Sequence, residues 1–124
     1  MILHITSKKE WLDAHKRGEY VAPSLQTEGF IHCSTEKQVL HVANAFYRGQ
    51  NNLVLLKLNE EKISSEIKWE APAGPPAPGI SDSDKFPHIY GPINLTAVAS
   101  ILDLEPDPVS GKFSLPPALL TTDN

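Results

Sequence analysis

Residues 53–58 read LVLLKL, and this almost continuously apolar stretch decides the fold. Apolar side chains at both odd and even positions are typical of a strand that is buried on both faces, as at the centre of a sheet. We therefore predict a central strand here. Further strands are predicted on its C-terminal side, over Ile67 to Glu70, Phe86 to Tyr90 and Leu95 to Leu104.

The N-terminal side begins with a predicted strand from Met1 to Thr6, followed by a helix. Ser7 and Glu10 have the spacing of a capping box, in which Ser7 caps the helix and the Glu10 side chain reaches back. The helix should end near Gly18, because glycine readily adopts the left-handed conformation that closes a helix. The predicted inward residues of this helix are Trp11 and Ala14.

A second strand and helix are predicted between this unit and the central strand. Gly29 to Cys33 has the character of a strand, and Ser34 is a good N-cap for a helix after it. Apolar residues at i, i+3, i+4 and i+7 predict the buried stripe of that helix; they are Val39, Val42, Ala43 and Phe46. Helices early and strands late predict an α+β fold with a mixed sheet.

The chain is long enough for one hydrophobic core, so we predict a single domain over residues 1–105. Within it, residues 71–85 are rich in proline, which lacks the amide donor of a ladder, and are predicted to form an exposed loop or lid. Residues 106–124 are predicted to be a C-terminal tail that is partly disordered.

Composition excludes several classes of protein. A net charge of −4 argues against sequence-independent binding of nucleic acid. The single cysteine cannot form an intramolecular disulfide. The N-terminus does not have the form of a signal peptide, and no apolar run is long enough to span a membrane. We therefore expect a cytoplasmic protein with no membrane association; the oligomeric state is not predicted.

Three of the five histidines, His4, His32 and His88, fall in predicted strands. Residues two apart on a strand share a face, and the neighbours that share faces with these histidines are Ile2 and Thr6, Phe30 and Ser34, and Phe86 and Tyr90, respectively. Apolar and aromatic walls with polar tips suit a planar heterocyclic ligand. The residues expected to contact such a ligand are His4, Thr6, Phe30, His32, Ser34 and Tyr90.

Each of these histidines also has a plain structural interpretation, as a partly buried residue bonded to a backbone carbonyl. A zinc site of three histidines is a further alternative, although the close His-x-His or His-x-x-x-His pair is missing. Cys33 alternates to the face opposite His32 and is predicted to be a buried thiol of the core. His15 and His41 are predicted to lie on helices in contact with solvent.

Two carboxylates lie next to the predicted histidine strands in sequence. Glu28 precedes Gly29, and Glu70 follows Trp69 at the start of the proline-rich loop. Each is either a solvated loop carboxylate or a general base or ribose-binding group beside the histidines. Together with His88, they are the predicted catalytic residues.

Several segments resemble a known family. SLQTEGFIHCSTEKQVLHVANAFYRG, NLVLLKL, WE and FPHIYGPI, in this order, resemble the family called domain of unknown function nine hundred and fifty-two, over about residues 1–105. That family has no established activity. Its fold is grouped with the ADP-ribosyltransferase-like superfamily, which implies split antiparallel β-sheets, two main helices and NAD, or a related nucleotide, bound between the sheets.

The resemblance also implies roles for individual residues. His4 resembles the histidine that holds ribose hydroxyl groups, His32 takes the place of an aromatic residue that stacks on nicotinamide, and Ser34 matches a small hydroxyl residue at a helix start. His88 lies where transferases carry a glutamate. A histidine does not supply the negative charge with which that glutamate stabilises the transition state.

Three functions remain open at this stage. The first is an enzyme, or a former enzyme, that binds NAD or an ADP-ribosyl-like ligand in a cleft lined by histidines, without the usual glutamate. The second is a non-catalytic module that senses a metabolite or contacts another protein. The third is a histidine-based metal site. No cofactor is certain, and the small-molecule ligand is unidentified.

Overall fold

The computed structural model describes residues 1–81 and 83–120. Residues 53–58 form β4 (Leu53–Leu58), the middle strand of a three-stranded antiparallel sheet. Its neighbours are β1 (Ile2–Ser7) and β8 (Val98–Leu104). The predicted central strand is thus confirmed, because β4 is hydrogen-bonded on both edges and buried along most of its length.

A second antiparallel sheet has the order β3-β6-β5 and consists of β3 (Ile31–His32), β5 (Glu66–Glu70) and β6 (Phe86–Tyr90). A third, two-stranded sheet pairs β2 (Glu19–Tyr20) with β7 (Ile93–Asn94). The fold is therefore α+β, as the order of the elements predicted. The predicted mixed sheet is wrong, because every strand pairing among the described residues is antiparallel.

Helix α1 (Lys8–Arg17) follows β1 directly. The Ser7 hydroxyl accepts a hydrogen bond from the Glu10 backbone amide, and Gly18 ends the helix in the left-handed conformation at φ 91°. The other half of the predicted capping box is wrong: the Glu10 carboxylate accepts from the Thr6 hydroxyl instead. This bond directs the Glu10 side chain toward β1.

The two faces of β4 contribute to two hydrophobic clusters. Val54, Leu56 and Leu58 point into a cluster that also contains both predicted inward residues of α1. Leu53 and Leu55 point into the other cluster, against helix α3 (Val39–Phe46). Alternation along one strand therefore builds both cores.

The predicted strand from Gly29 to Cys33 is shorter than expected. A short helix, α2 (Pro23–Thr27), precedes it, and the Gly29 amide closes that helix by bonding to the carbonyls of Ser24 and Leu25. Gly29 has φ 90°, in the left-handed region, so it belongs to the turn. Ladder pairing with β6 therefore begins only at Ile31.

Ser34 is not the N-cap of the following helix, which corrects the prediction. Its backbone forms an isolated antiparallel bridge with Leu3, and α3 begins at Val39 after a turn. In that turn the Gln38 side chain accepts from the Thr35 amide. Phe46 is 60% exposed, so the predicted buried stripe does not reach the end of the helix.

The last predicted strand, Leu95 to Leu104, is interrupted. β7 precedes it, a 3-10 turn occupies Leu95–Ala97, and β8 begins at Val98. Ala97 is fully buried, and its carbonyl accepts from the Asn59 amide. This contact connects the 3-10 turn with the chain that leaves β4.

Between β5 and β6, residues 71–81 and 83–85 contain no helix or strand, as predicted from the prolines.

Beyond β8 the chain packs back on the domain, with Phe113 buried in the cluster against α3. Both backbone groups of Phe113 bond to the Asn44 side chain. A short helix, α4 (Pro117–Leu120), follows; residues 121–124 of the predicted tail lie outside the described residues. Within the described part of the chain, no helix has the length and apolar character needed to cross a membrane.

Candidate functional site

The two three-stranded sheets meet where β1 passes the end of β3. Leu3 and Ser34 exchange two backbone hydrogen bonds, both at 2.8 Å. One residue further along β1, His4 Nδ1 lies 2.5 Å from the His32 carbonyl oxygen. These bonds bring the histidine of β1 next to the sheet that carries the other two histidines.

A cavity of about 580 Å³ opens at this junction. Its size is in the ordinary range for small-molecule sites, about 300–1,000 Å³. All three strand histidines line it, and the loop after β5 covers part of it with residues 72–77. The other polar or ionisable residues of the wall are Thr6, Ser7, Glu10, Tyr20, Ser24, Glu28, Cys33, Ser34, Tyr47 and Gln50.

His32 and His88 lie directly opposite each other on β3 and β6. Their ring centroids are 5.6 Å apart, and Phe30 stacks on His88 at 4.1 Å with an interplanar angle of 20°. Residues paired across two strands have their side chains on the same face. The pairing of β3 with β6 therefore places His32, His88 and the Phe30 ring in one group.

Glu70 orients the His88 ring. Its carboxylate accepts from His88 Nδ1 at 2.8 Å and from the Tyr90 hydroxyl at 2.5 Å. Because a carboxylate accepts hydrogen bonds, Nδ1 carries a proton, and in the neutral form of the ring Nε2 presents its lone pair. The bonds from Tyr90 and His88 lower the pKa of Glu70, and the same contact with Glu70 raises the pKa of Tyr90.

The free nitrogen of His88 reaches solvent. Every buried side-chain nitrogen and oxygen in the described part of the chain has a hydrogen-bond partner. Nε2 of His88 has none among those residues, so it is open although the residue is only 2% exposed. The space that His88 lines is the cavity. This nitrogen is therefore a hydrogen-bond acceptor, or a base, facing a prospective ligand.

His32 forms a second histidine–carboxylate pair at the mouth of the cavity. Its Nε2 lies 3.1 Å from a Glu28 carboxylate oxygen, and both side chains are 43% exposed. Exposed pairs of this kind contribute at most about 1 kcal/mol to stability. The pair is thus free to exchange its bond for one to a ligand at little cost.

His4 has no free ring nitrogen. Nδ1 is engaged by the His32 carbonyl, and Nε2 lies 2.7 Å from the Tyr20 hydroxyl. A ring in this position does not bind ribose hydroxyl groups without breaking one of these bonds, so His4 acts as a positioning residue for β3. Burial lowers its pKa to about 4.

A chain of polar contacts leads from His4 back to Glu10. The Tyr20 hydroxyl is 2.9 Å from Thr6 Oγ1, and Thr6 donates to the Glu10 carboxylate at 3.0 Å. When the His4 ring is neutral and its Nδ1 donates to the His32 carbonyl, only the Tyr20 and Thr6 hydroxyl protons remain for the other three contacts of the chain. Those contacts are His4–Tyr20, Tyr20–Thr6 and Thr6–Glu10, so one of them lacks a proton and the chain can accept one more. Glu10 lines the cavity and joins this buried chain to the site.

Replacing Tyr20 by phenylalanine should lower the free energy of unfolding by about 1–3 kcal/mol, because His4 and Thr6 lose a buried partner. Chemical denaturation of the variant measures this loss. Tyr47→Phe is the matched control, since the Tyr47 hydroxyl makes no hydrogen bond to the described protein residues. Equal stability of the Tyr20 variant and the wild type would contradict the buried chain.

The depressed pKa of His4 predicts loss of stability in mild acid. Between the unfolded value of 6.5 and the folded value of about 4, the unfolded state binds more protons than the folded state. Stability should therefore fall as the pH drops through this window, by about 3 kcal/mol from this group. NMR titration of the folded protein should show the His4 ring ionising near pH 4; ionisation of this ring near 6.5 would refute the prediction.

The structure brings all nine predicted site residues into one region, but not all onto the cavity wall. His4, Thr6, Glu28, His32, Ser34 and His88 line the cavity. Phe30, Glu70 and Tyr90 lie behind them and hold the His88 ring. Among the described residues, no group of three or more His, Cys, Asp or Glu side chains has the geometry to hold a metal ion.

The remaining histidines and the cysteine lie as predicted. His15 and His41 are exposed on α1 and α3. Cys33 belongs to the hydrophobic core, where burial raises the pKa of its thiol. The polar or ionisable wall residues that the sequence did not predict as site residues are Ser7, Glu10, Tyr20, Ser24, Cys33, Tyr47 and Gln50. No sequence pattern marks Glu10 or Tyr20 as a site residue, because each is tied to β1 through a hydrogen bond with Thr6.

These features define a class, an α+β protein with small antiparallel sheets and a cavity lined by histidines where two of the sheets meet. The chain belongs to the family described as Protein of unknown function (DUF952), whose model matches residues 5–101. The two predicted motifs around His32 and His88 lie within the matched segment.

The chain is also similar to solved structures of protein CC0527 from Caulobacter crescentus, a structural-genomics target. One crystal structure has 34% sequence identity and a TM-score of 0.78, and covers 92% of this chain and 93% of that chain. The solution NMR structure has the same identity, a TM-score of 0.71 and 88% coverage of each chain. No curated protein matches the chain.

Proposed function

We propose that this protein binds a small nitrogen heterocycle carrying ribose, of the nucleotide or NAD-like kind, in the cavity lined by histidines. One observation carries the proposal: two histidines from one sheet and one from another line a single cavity of about 580 Å³. A ligand of this kind matches a planar aromatic wall with a few polar groups.

The arrangement of the sheets supports an ADP-ribosyltransferase-like fold. Two small antiparallel sheets touch through the bridge between Leu3 and Ser34, and the cavity lies at that contact. Split sheets with a ligand cleft between them are the feature that the family resemblance implied. This likeness concerns architecture and, by itself, carries no activity.

The chemistry available at His88 supports a transfer or hydrolysis at the ribose carbon attached to the heterocycle. Nε2 would take the proton of an attacking hydroxyl group or water as the new carbon–oxygen bond forms, and the heterocycle would leave with the electrons of the broken bond. Glu70, at 2.8 Å, would stabilise the imidazolium so formed. His88 occupies the position where transferases carry a glutamate, and the Glu70 carboxylate contacts His88 from behind.

A binding module without turnover is the second candidate. The observation that favours it is the position of Glu70 behind His88, outside the cavity wall, where it does not meet an oxocarbenium-like centre directly. Release of free nicotinamide from NAD or its riboside separates the two functions, because a module retains its ligand intact and gains thermal stability from it.

Calorimetry and ligand-observed NMR with NAD, ADP-ribose, nicotinamide and nicotinamide riboside test the proposal. We expect binding of at least one of these to the wild type and weaker binding to His32→Ala, with His15→Ala as the control. Absence of binding at millimolar concentration for the whole panel would overturn the proposal, as would equal binding by the wild type and His32→Ala.

A further inference from the structure

The cavity wall carries carboxyl groups but neither lysine nor arginine among its described residues. Glu10 and Glu28 are carboxyl groups of the wall, and a third, Glu70, lies directly behind His88. Among the described residues that line the cavity, none is a lysine or an arginine. Phosphate groups are normally held by these cationic side chains, and most often by the arginine fork.

Half of the residues that the covering loop contributes to the wall have no backbone donor to replace the missing cations. Oriented N–H groups of a glycine-rich loop or helix start are the usual alternative for holding a phosphate. Of the six residues that this loop contributes, Pro72, Pro75 and Pro76 have no N–H group to donate, and only Ala73, Gly74 and Ala77 carry one. Ser24, on the opposite side, already donates its hydroxyl to the Phe30 carbonyl.

The same wall is well suited to a cationic ring. Phe46, Tyr47 and Phe86 line it together with the carboxyl groups. Aromatic faces and carboxylates both attract an organic cation, through the ring quadrupole and through direct charge. His88 presents an unpaired acceptor nitrogen from a side chain that is almost fully buried, which suits a ligand hydroxyl group.

We propose that the cavity takes its ligand in a phosphate-free, cationic form, an N-ribosyl pyridinium or a similar N-glycosyl heterocycle, and disfavours the phosphorylated forms. This inference rests on the function proposed above and narrows it from nucleotides to nucleosides. The ribose hydroxyl groups meet His88 and the Glu28–His32 pair, and the ring lies among the aromatic side chains and carboxyl groups.

A matched series of ligands tests the inference by calorimetry on the full chain. The 5′-phosphate differs from nicotinamide riboside only by the phosphate, and the reduced riboside differs by one hydride, which removes the charge and the aromaticity of the ring. We expect the oxidised riboside to bind at least about tenfold more tightly than either of the others, with affinity falling as salt is added. Equal or tighter binding of the 5′-phosphate would overturn the charge selection while leaving the proposed function intact.

Variants of the wall provide the second arm. Glu10→Gln and Glu28→Gln keep the side-chain shape and should each reduce the preference for the cationic riboside, while Glu61→Gln, exposed on the 3-10 turn after β4, should leave it unchanged. Gln50→Lys adds a cation to the wall and should raise affinity for the 5′-phosphate. Unchanged preference in folded Glu10 and Glu28 variants would contradict the inference. Failure of all three ligands, NAD, ADP-ribose and nicotinamide to bind the wild type would instead overturn the proposed function, and this inference with it.

Discussion

His88→Ala should weaken ligand binding by about 2 kcal/mol or more, or roughly 30-fold, the size of effect found for buried central residues of binding sites. The substitution removes the one ring nitrogen of the strand histidines that faces the cavity from a nearly buried side chain. It also removes the ring on which Phe30 stacks at 4.1 Å. The first loss removes a polar contact for the ligand, and the second leaves the shape of the binding surface less well fixed.

Calorimetry with the tightest ligand of the nicotinamide series measures this loss. His41→Ala is the matched control, because His41 is exposed on α3 and does not line the cavity. Glu70→Gln separates orientation from contact: the side chain keeps its shape, but its amide is a poorer partner for the His88 Nδ1 proton. We expect an intermediate loss of affinity for that variant. Wild-type affinity in a folded His88→Ala protein would show that the ligand lies elsewhere.

Phe113→Ala should lower the free energy of unfolding by about 3–5 kcal/mol, the usual cost of truncating a buried phenylalanine. Phe113 is 4% exposed and packs in the hydrophobic cluster beneath α3. Its backbone is held by two hydrogen bonds to Asn44, so the surrounding chain has little freedom to close the space left by the ring. A large cavity term is therefore expected.

Urea denaturation of the variant tests this result. Val109→Ala, at a position 95% exposed on the turn just before Phe113, is the control and should change stability by less than about 0.5 kcal/mol. If the two substitutions cost the same, residues 106–115 would be a dispensable tail. The expected difference makes this segment part of the folded domain.

Much of the fold was predictable because its signals are local. The LVLLKL stretch is apolar on both faces, and the structure uses each face for a separate cluster. Ser7 and Gly18 mark the ends of α1 through bonds and dihedral angles of their own. Of the misplaced residues, Ser34 pairs with the distant Leu3, whereas Gly29 closes the short helix just before it, a helix that the sequence did not predict.

The sequence predicted which residues lie together at the candidate site, but not what each residue does there. Alternation along the predicted strands, Gly29 to Cys33 and Phe86 to Tyr90, placed Phe30 with His32 and His88 with Tyr90, and the pairing of His32 with His88 then brought the two groups together. That His4 has both ring nitrogens occupied follows from Tyr20 and from a backbone carbonyl, which no sequence pattern announces. The pairing of His88 with Glu70 likewise depends on how β5 and β6 align.

The most direct test of the shared cavity is an NMR titration that follows the ring nitrogens of all five histidines as nicotinamide riboside is added. We predict that the signals of His32 and His88 shift together, with the same midpoint, while those of His15 and His41 stay unchanged. Shifts confined to His15 or His41, or separate midpoints for His32 and His88, would contradict a single site formed by these two strands.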